Sequence, residues 1–332
     1  MQIVVLAGGV GGSRFVRGVL AAYPGARVTV VGNTADDITL HGLRICPDLD
    51  TMTYALGGAI DPERGWGLAD EGWRVMEELR AHAAEPTWFN LGDRDIATHL
   101  IRTQMLAAGY PLSEVTRALT QRWWGTDSPV TLLPMSDDRV ETHVVVADDD
   151  APGGRRAVHF QEFWVRLHAA PRVLEVVQVG IEEARPAPGV LEALAAADLV
   201  LVAPSNPVVS IGPVLATPGV RDAVRATSAP VVGFSGILSG RPVLGMADKL
   251  LPAIGVEVDA AAVGLHYGSR QADGVLDRWV VDSDDAAALA RLRDGGLEAL
   301  AHPLLMTDPE TTAAFIRAGV SPDPDDGRAL AS

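Results

Sequence analysis

Cysteine is almost absent: Cys46 stands alone in 332 residues, so no intrachain disulfide can form. That scarcity fits a reducing compartment, and we expect a cytoplasmic address. Lysine is as scarce. Lys249 is the single lysine among 27 basic side chains, with arginine standing wherever either cation would serve, as a GC-rich coding sequence favours. Lys249 either survives by chance or sits where a compact ammonium is needed and a planar guanidinium will not fit. Positive charge is short overall, 27 basic against 43 acidic residues, for a net charge of −16. A chain so acidic lacks the basic face that general nucleic-acid binding needs. A small anionic ligand would have to be met locally, by a metal ion, a few cations or backbone N–H groups. No apolar run reaches the roughly 18–20 residues that span a membrane. The opening run, Ile3–Ala7, has no basic flank and stops at glycine, so it reads as a strand and not as a secretion signal. The eight histidines show no zinc spacing, and neither a Walker A nor a G-x-S-x-G motif occurs.

Apolar residues make up 48% of the chain, ample for a core. Short continuous apolar strands alternate with helical periodicity at both ends of the sequence, which predicts an α/β fold: a Rossmann-like, doubly wound, mostly parallel sheet. Strands are expected at 2–7, 28–32, 198–203 and 230–234, and helices at 13–22, 70–84, 93–108 and 112–123. Alternating patterns at 129–150 and 156–164 predict further strands, and the stretch from Asp282 reads as helical with a frayed polar end at 321–332. We read one domain, with a core at 1–60 and 195–305, a helical insertion at about 66–125 and a β-rich excursion at about 129–180.

Directly after the first strand comes GGVGGSRF. Gly8, Gly9, Gly11 and Gly12 permit close approach to the backbone, and a helix expected from Ser13 would offer unpaired N–H groups to an anion. The alternative is a tight structural turn. Dinucleotide spacing is not met, because Arg14 occupies the third glycine position. NTADDITLHGLRICPDLDT, after the second strand, carries Asp36, Asp37, Asp48 and Asp50 with Asn33, Thr34 and Thr51. We expect a long irregular loop here. Hard carboxylate oxygens in such number suit Mg²⁺, unless they form a solvated acidic loop. In LGDRD, Asp93 is expected to cap the following helix, and Arg94 is either a surface cation or an anion-binding group. PSNPVVSIGP brings Asn206, Ser210 and Gly212 to a helix start. FSGILSGRPVLGMADKL brings Ser235, Gly236 and Lys249 to a similar setting. Of the histidines, only His41 and His99 fall near these stretches.

These stretches together resemble the CofD/FbiA family, the 2-phospho-L-lactate or phosphoenolpyruvate transferases of coenzyme F420 biosynthesis. LAGGVGGSRF, NTADD, HGLRICPDLDT, LGDRDIATHL, SNPVVSIGP, FSGILSG and ADKL carry the likeness in order from residue 1 to about 250. The wording of WGLADE and LGDRD is most similar to the actinobacterial branch. The resemblance implies a guanosine-diphosphate-linked donor, the deazaflavin Fo as acceptor, release of GMP, Mg²⁺ as cofactor and a homodimer. It further implies Asp37 and Asp50 as metal ligands, Asp50 at the acceptor hydroxyl and Arg94 on a substrate anion. Asn206, Ser210 and Lys249 would lie on the guanosine side, and Trp88 either stacks on the deazaflavin or belongs to the core. The related YvcK-like branch shares the glycine pairs, so a nucleotide-sugar-binding regulator is the alternative.

Overall fold

The computed structural model describes residues 1–321; the expected frayed end beyond Ser321 lies outside the described residues. In chain order the strands are β1 (Gln2–Ala7), β2 (Arg27–Gly32), β3 (Ile38–Leu40), β4 (Leu43–Ile45), β5 (Val130–Pro134), β6 (Glu141–Ala147), β7 (Arg155–His159), β8 (Val173–Val179), β9 (Leu199–Val202), β10 (Val231–Phe234), β11 (Ile237–Leu238), β12 (Arg241–Pro242), β13 (Arg278–Val281) and β14 (Glu298–Ala301). The helices are α1 (Gly9–Ala22), α2 (Pro47–Leu56), α3 (Arg74–Ala81), α4 (Asp93–Ala107), α5 (Leu112–Trp124), α6 (Val190–Ala195), α7 (Ile211–Ala216), α8 (Val220–Ala226), α9 (Ala247–Leu250), α10 (Ala260–Tyr267), α11 (Ala288–Asp294) and α12 (Pro309–Val320).

Seven strands form the central sheet in the order β14-β13-β10-β9-β1-β2-β5, and every neighbouring pair is parallel. The chain winds outward from β1 in one direction through β2 and β5, then returns to wind the other way from β9. That is the doubly wound order, and the direction reverses between β1 and β9. Residues alternate between the two faces. Ile3, Val5 and Ala7 join the layer made with Phe15, Val19, Phe315 and Ile316, while Val4 and Leu6 join the layer made with Val190, Val214 and Val224. Burial on both faces explains why these strands read as continuous apolar runs. α1 and α12 lie so close that a Cβ on Gly18 would fall 2.1 Å from Thr312 Cγ2.

Five stretches differ from the sequence expectation. The stretch 33–50 is not a plain loop: it holds the β3–β4 hairpin and the first turn of α2. α1 begins at Gly9, four residues before Ser13. β5 leaves the β-rich segment and pairs with β2 in the central sheet, and the separate antiparallel sheet is β7-β6-β8. The stretch 156–164 is strand only to His159, then turns through a π-helical turn at Glu162–Arg166. Beyond Asp282 the chain is not all helical, because Glu298–Ala301 supplies the edge strand β14.

Candidate functional site

The strand order reverses between β1 and β9, and the carboxyl ends of strands at such a reversal are where open α/β sheets take ligands. The loop from β1 enters it as Gly8-Gly9. A Cβ on Gly8 would lie 2.5 Å from Asp48 Oδ2 and 2.8 Å from Ser210 Cβ, so this position admits glycine alone. Gly9 has φ +65°, a conformation that side chains strain. Ser205 Oγ accepts from the Gly8 N–H at 3.1 Å and donates to the Gly8 carbonyl at 2.7 Å. Gly12 packs on the same hydroxyl, and Gly11 and Gly236 pack on the Pro204 carbonyl. No side chain caps the start of α1, and its first turn carries no acidic residue. Ser205 takes the Gly8 N–H and Asp48 the Gly9 N–H, so the N–H groups left for an anion lie after Gly9 in the first turn, at the positive end of the helix dipole. Ser13 is turned inward, its hydroxyl donating to the Val10 carbonyl at 2.9 Å.

Opposite this cradle stand the acidic side chains. Asn33, Thr34, Asp36 and Asp37 follow β2 and are buried. Asp48 and Asp50 occupy the first turn of α2, where the positive end of the helix dipole favours them, and Thr51 is buried beside them. The Asn33 amide donates to Asp48 Oδ2 at 2.9 Å and accepts from the Ala35 N–H at 3.0 Å. Burial raises the Asp48 carboxyl to about 6, against the Asn33 hydrogen bond and one from the Gly9 backbone. Asp37 is fully buried and also raised to about 6 by burial, although Arg44 Nη2 lies 3.1 Å from its Oδ2. Asp36 is pushed well up by burial, then by Asp48 and Asp37. Asp36 Oδ1 and Asp37 Oδ1 are buried without a hydrogen-bond partner. Three carboxyls are held above their ordinary range by burial and two keep free oxygens, which is chemistry that suits a hard divalent cation, but among the described residues only Asp50, Asp95 and His99 bring three ligand-type atoms close together.

Asp50 has a different setting. Arg102, 2% exposed, reaches both of its oxygens, Nη1 at 3.1 Å from Oδ2 and Nη2 on Oδ1. Arg102 Nη1 also lies 3.2 Å from His99 Nδ1, and since a guanidinium only donates, that nitrogen is the acceptor. His99 Nε2 faces Asp95 Oδ2 at 3.3 Å, and Asp95 Oδ1 accepts from the Tyr54 hydroxyl at 2.6 Å. Asp95, His99 and Arg102 share one face of α4, and Asp50 and Tyr54 share one face of α2. Asp50, Asp95 and His99 each place a ligand-type atom within 4.8 Å of the others. The nitrogen in that set suits a softer metal than Mg²⁺, and Arg102 already supplies positive charge there.

LGDRD acts differently from the expectation. The Asp93 carboxylate accepts from the N–H groups of Arg74 (3.2 Å) and Val75 (3.0 Å), so it caps α3, not its own helix. In return Glu71 accepts from the N–H groups of Arg94 (2.6 Å) and Asp95 (3.2 Å) and so caps α4. The two helix starts cap each other across Gly72 and Gly92. A Cβ at either would strike the capping carboxylate, at 2.3 Å from Asp93 Oδ2 and 2.1 Å from Glu71 Cδ. The Arg94 guanidinium donates to the Ala69 carbonyl and is exposed, so its hydrogen bonds go to the 69–71 segment and not to the acidic loop.

In the loop after β9, the Asn206 side chain accepts from Val208 N–H (2.9 Å) and Val209 N–H (3.3 Å), fixing the loop. Its carbonyl accepts from Ser210 and Ile211, which sets Ser210 against Gly8. Gly212 is required because a Cβ would sit 2.8 Å from the Pro207 carbonyl. Ser235 closes on its own loop, accepting from Ile237 N–H at 3.1 Å and donating to the Ile237 carbonyl. Lys249 is exposed and pairs with its neighbour Asp248 at 3.5 Å. Trp88 packs on a small cluster of Ile38, Leu40 and Met76, the core alternative, and His41 Nε2 lies 2.9 Å from the Pro86 carbonyl. Sequence reasoning missed Ser205, Arg44, Arg102 and Asp95. It also missed the β7 clamp, in which His159 Nε2 lies 3.2 Å from the Asp37 carbonyl and Gln161 donates to the Asp36 carbonyl at 3.3 Å.

Known proteins match this chain along nearly its whole length. The family described as 2-phospho-L-lactate transferase CofD matches residues 3–309. A phosphoenolpyruvate transferase of Nocardia farcinica is 56% identical over 316 residues, 95% of this chain and 93% of that protein. One from Streptomyces coelicolor is 57% identical, over 96% of each chain. One from Mycolicibacterium smegmatis is 53% identical, over 96% of this chain and 98% of that protein. A solved Bacillus halodurans protein of the UPF0052 family shares the fold, with a TM-score of 0.59 at 18% identity, over 95% of this chain and 97% of that one. The chain belongs to the CofD family.

Proposed function

We propose that this CofD-family chain, one α/β unit, transfers a phosphoenolpyruvyl group from a guanosine-diphosphate-linked donor to the terminal hydroxyl of the deazaflavin Fo. GMP leaves and dehydro-F420-0 forms, in the biosynthesis of coenzyme F420. A phospho-lactyl donor would give F420-0 by the same displacement; the names of the three relatives, all phosphoenolpyruvate transferases, favour the enolpyruvyl group. The observation that carries the reading is the meeting, at the switch point, of an open glycine-lined helix start with buried carboxylates that lack a full set of partners. An N–H cradle alone would suit many anions. Free, desolvated oxygens beside it suit an anion that arrives with a divalent metal.

In this reading the backbone at Gly8, Gly9, Gly11 and Gly12 cradles the diphosphate, and Ser13, turned inward, braces the first turn of α1. The loops bearing Asn206, Ser210, Gly212, Ser235, Gly236 and Lys249 hold the guanosine side. Asp37, through its free Oδ1, would hold Mg²⁺, with Asn33, Thr34, Asp36, Asp48 and Thr51 completing the polar wall, while Asp50, both of whose oxygens Arg102 engages, is left to the acceptor hydroxyl. Bound Mg²⁺ would neutralise charge on the transferred phosphoryl group and on the bridging oxygen. The acceptor oxygen bonds to phosphorus, the bond from phosphorus to the GMP phosphate oxygen breaks, and the hydroxyl proton passes to Asp50, which Arg102 holds in orientation. Asp93 and Arg94 brace the helices that carry this face. A homodimer and a cytoplasmic setting are part of the proposal. Among the described residues, no helix is long and apolar enough to cross a membrane.

The test is product analysis. Folded protein with Mg²⁺, Fo and guanylylated phosphoenolpyruvate is expected to release one GMP per phosphodiester formed. Absence of both products overturns the transferase reading, and tight binding of a UDP-sugar without turnover would put a regulatory function in its place.

A further inference from the structure

The turn after β2 gives its backbone to the separate antiparallel sheet. Asp37 N–H donates to the Thr34 carbonyl at 3.3 Å, which closes a turn with Ala35 and Asp36 at its centre. The Ala35 N–H is taken by the Asn33 side chain at 3.0 Å. Three successive carbonyls then accept from the β7-β6-β8 sheet and the turn that leaves it. Thr142 N–H, in β6, donates to the Ala35 carbonyl at 2.6 Å, Gln161 Nε2 to the Asp36 carbonyl at 3.3 Å, and His159 Nε2 to the Asp37 carbonyl at 3.2 Å. The direction of the last bond follows from the other ring nitrogen. Gln161 N–H donates to His159 Nδ1 at 3.1 Å, so Nδ1 is an acceptor and the imidazole hydrogen sits on Nε2.

Local sequence builds this clamp. Val158 of β7 faces the core with Val144 and Val146 of β6, which leaves His159 on the opposite face. His143 stands across from His159 on β6 and backs its ring edge to face, with centroids 5.6 Å apart. Directly after Gln161 comes the π-helical turn Glu162–Arg166, a rare form that recurs at functional sites. Gln161 is buried, and an amide taken out of water costs stability unless it is bonded.

What the clamp holds is chemically specific. Asp36 Oδ1 and Asp37 Oδ1 are buried and accept from nothing. Burial and mutual repulsion both press these carboxylates to swing away toward water, and an unbraced loop would let them. With the carbonyls of Ala35, Asp36 and Asp37 all engaged, the main chain that carries the two side chains cannot follow. Unsatisfied polar groups of this kind persist only where the surrounding structure over-determines them.

We infer that His159 and Gln161 are positioning residues for the divalent cation, fixing the main chain of Asp36 and Asp37 so that each carboxylate keeps an oxygen free to bind it. This rests on the reading that Asp37 holds Mg²⁺. Neither residue reaches a carboxylate oxygen of its own; both act through the backbone carbonyls.

Two measurements on the full chain test this with H159A, H159Q and Q161E. One is calorimetric titration of Mg²⁺ in the absence of substrate, and the other is the Mg²⁺ concentration that gives half-maximal GMP release. A glutamine amide nitrogen can stand where His159 Nε2 stands, whereas Q161E keeps the shape of residue 161 and removes its donor. H159A and Q161E are expected to weaken Mg²⁺ by about ten- to a hundredfold in both measurements, the usual consequence of losing a group that orients a metal ligand. H159Q should recover most of that loss, while KM for Fo and the rate at saturating Mg²⁺ stay near wild type. Unchanged Mg²⁺ affinity in H159A or in Q161E overturns the inference, and so does a loss that H159Q fails to recover or a rise in KM for Fo in its place. Should H159A not fold, Q161E and H159Q decide by the same readings. A wild type that releases GMP without Mg²⁺, or releases none, rejects the underlying metal and transferase reading instead.

Discussion

Gly8 is the residue at which three parts of the chain converge: the β1 loop, the start of α2 through Asp48, and the loop after β9 through Ser210. Gly8→Ala inserts a methyl group within 2.8 Å of two neighbours. Over-packing of this kind costs about 1–3 kcal/mol, and we expect GDP affinity by calorimetry to fall at least tenfold as the cradle opens. Arg102 is the second residue of this rank. Arg102→Met leaves Asp50 buried without its cation. Denaturant unfolding should show a loss of about 3–5 kcal/mol, the usual consequence of orphaning one member of a buried pair. Loss of less than 1 kcal/mol would mean that the pair does not hold Asp50. At this scale the sequence was half legible. The acidic residues announced themselves by number in NTADDITLHGLRICPDLDT, whereas their partners did not. Arg102 looked like any surface arginine until the spacing Asp95, His99, Arg102 is read as one helical face turned inward. Ser205 carried no signal at all, because its hydroxyl matters only once β1 and β9 are neighbours.

Elements cohere through their ends. The reciprocal capping of α3 and α4 by Asp93 and Glu71 ties LGDRD to the WGLADEGWR segment, two motifs that share no neighbours in sequence. Each cap removed should cost about 1 kcal/mol. Because both sit in one lock, Glu71→Ala and Asp93→Ala should combine non-additively in a double-mutant cycle by urea unfolding. Strict additivity would show two separate caps. Helices α4 and α5 and strands β1, β2, β9 and β10 were readable because periodicity and continuous apolar runs mark elements packed on two layers. β5 and β14 were not. Which sheet Val130–Pro134 joins is settled by pairing with Val28–Gly32, and EALA at 298–301 is too short to show a period. Asp48 and Asp50 were read as loop residues because Pro47 and the dense acids look like punctuation, yet proline suits the first turn of a helix and so do carboxylates.

For the whole molecule, acidity is the governing constraint. With a net charge of −16, the chain nonetheless buries carboxyls at its centre. Asp37 and Asp48 are raised to about 6 in the folded state, above the ordinary unfolded value near 3.9. A raised carboxyl stabilises the fold fully below the unfolded value, and that contribution is lost as pH climbs through about 6. Metal-free protein should therefore lose thermal stability between about pH 4 and pH 7. Mg²⁺ should restore stability above pH 6 and do little below pH 4, where the carboxyls are protonated. Calorimetric melting across this range with and without Mg²⁺ checks the sign. A Tm that stays flat in chelator would contradict it.

The most direct measurement is the rate of GMP release from guanylylated phosphoenolpyruvate and Fo as free Mg²⁺ is titrated, for the wild type and for the Asp37→Asn, Asp50→Asn double variant. The account predicts release that rises from near zero to saturation with Mg²⁺ in the wild type and falls by orders of magnitude in the variant at every concentration. Full-rate release by wild type in excess chelator, or by the variant in saturating Mg²⁺, would contradict it.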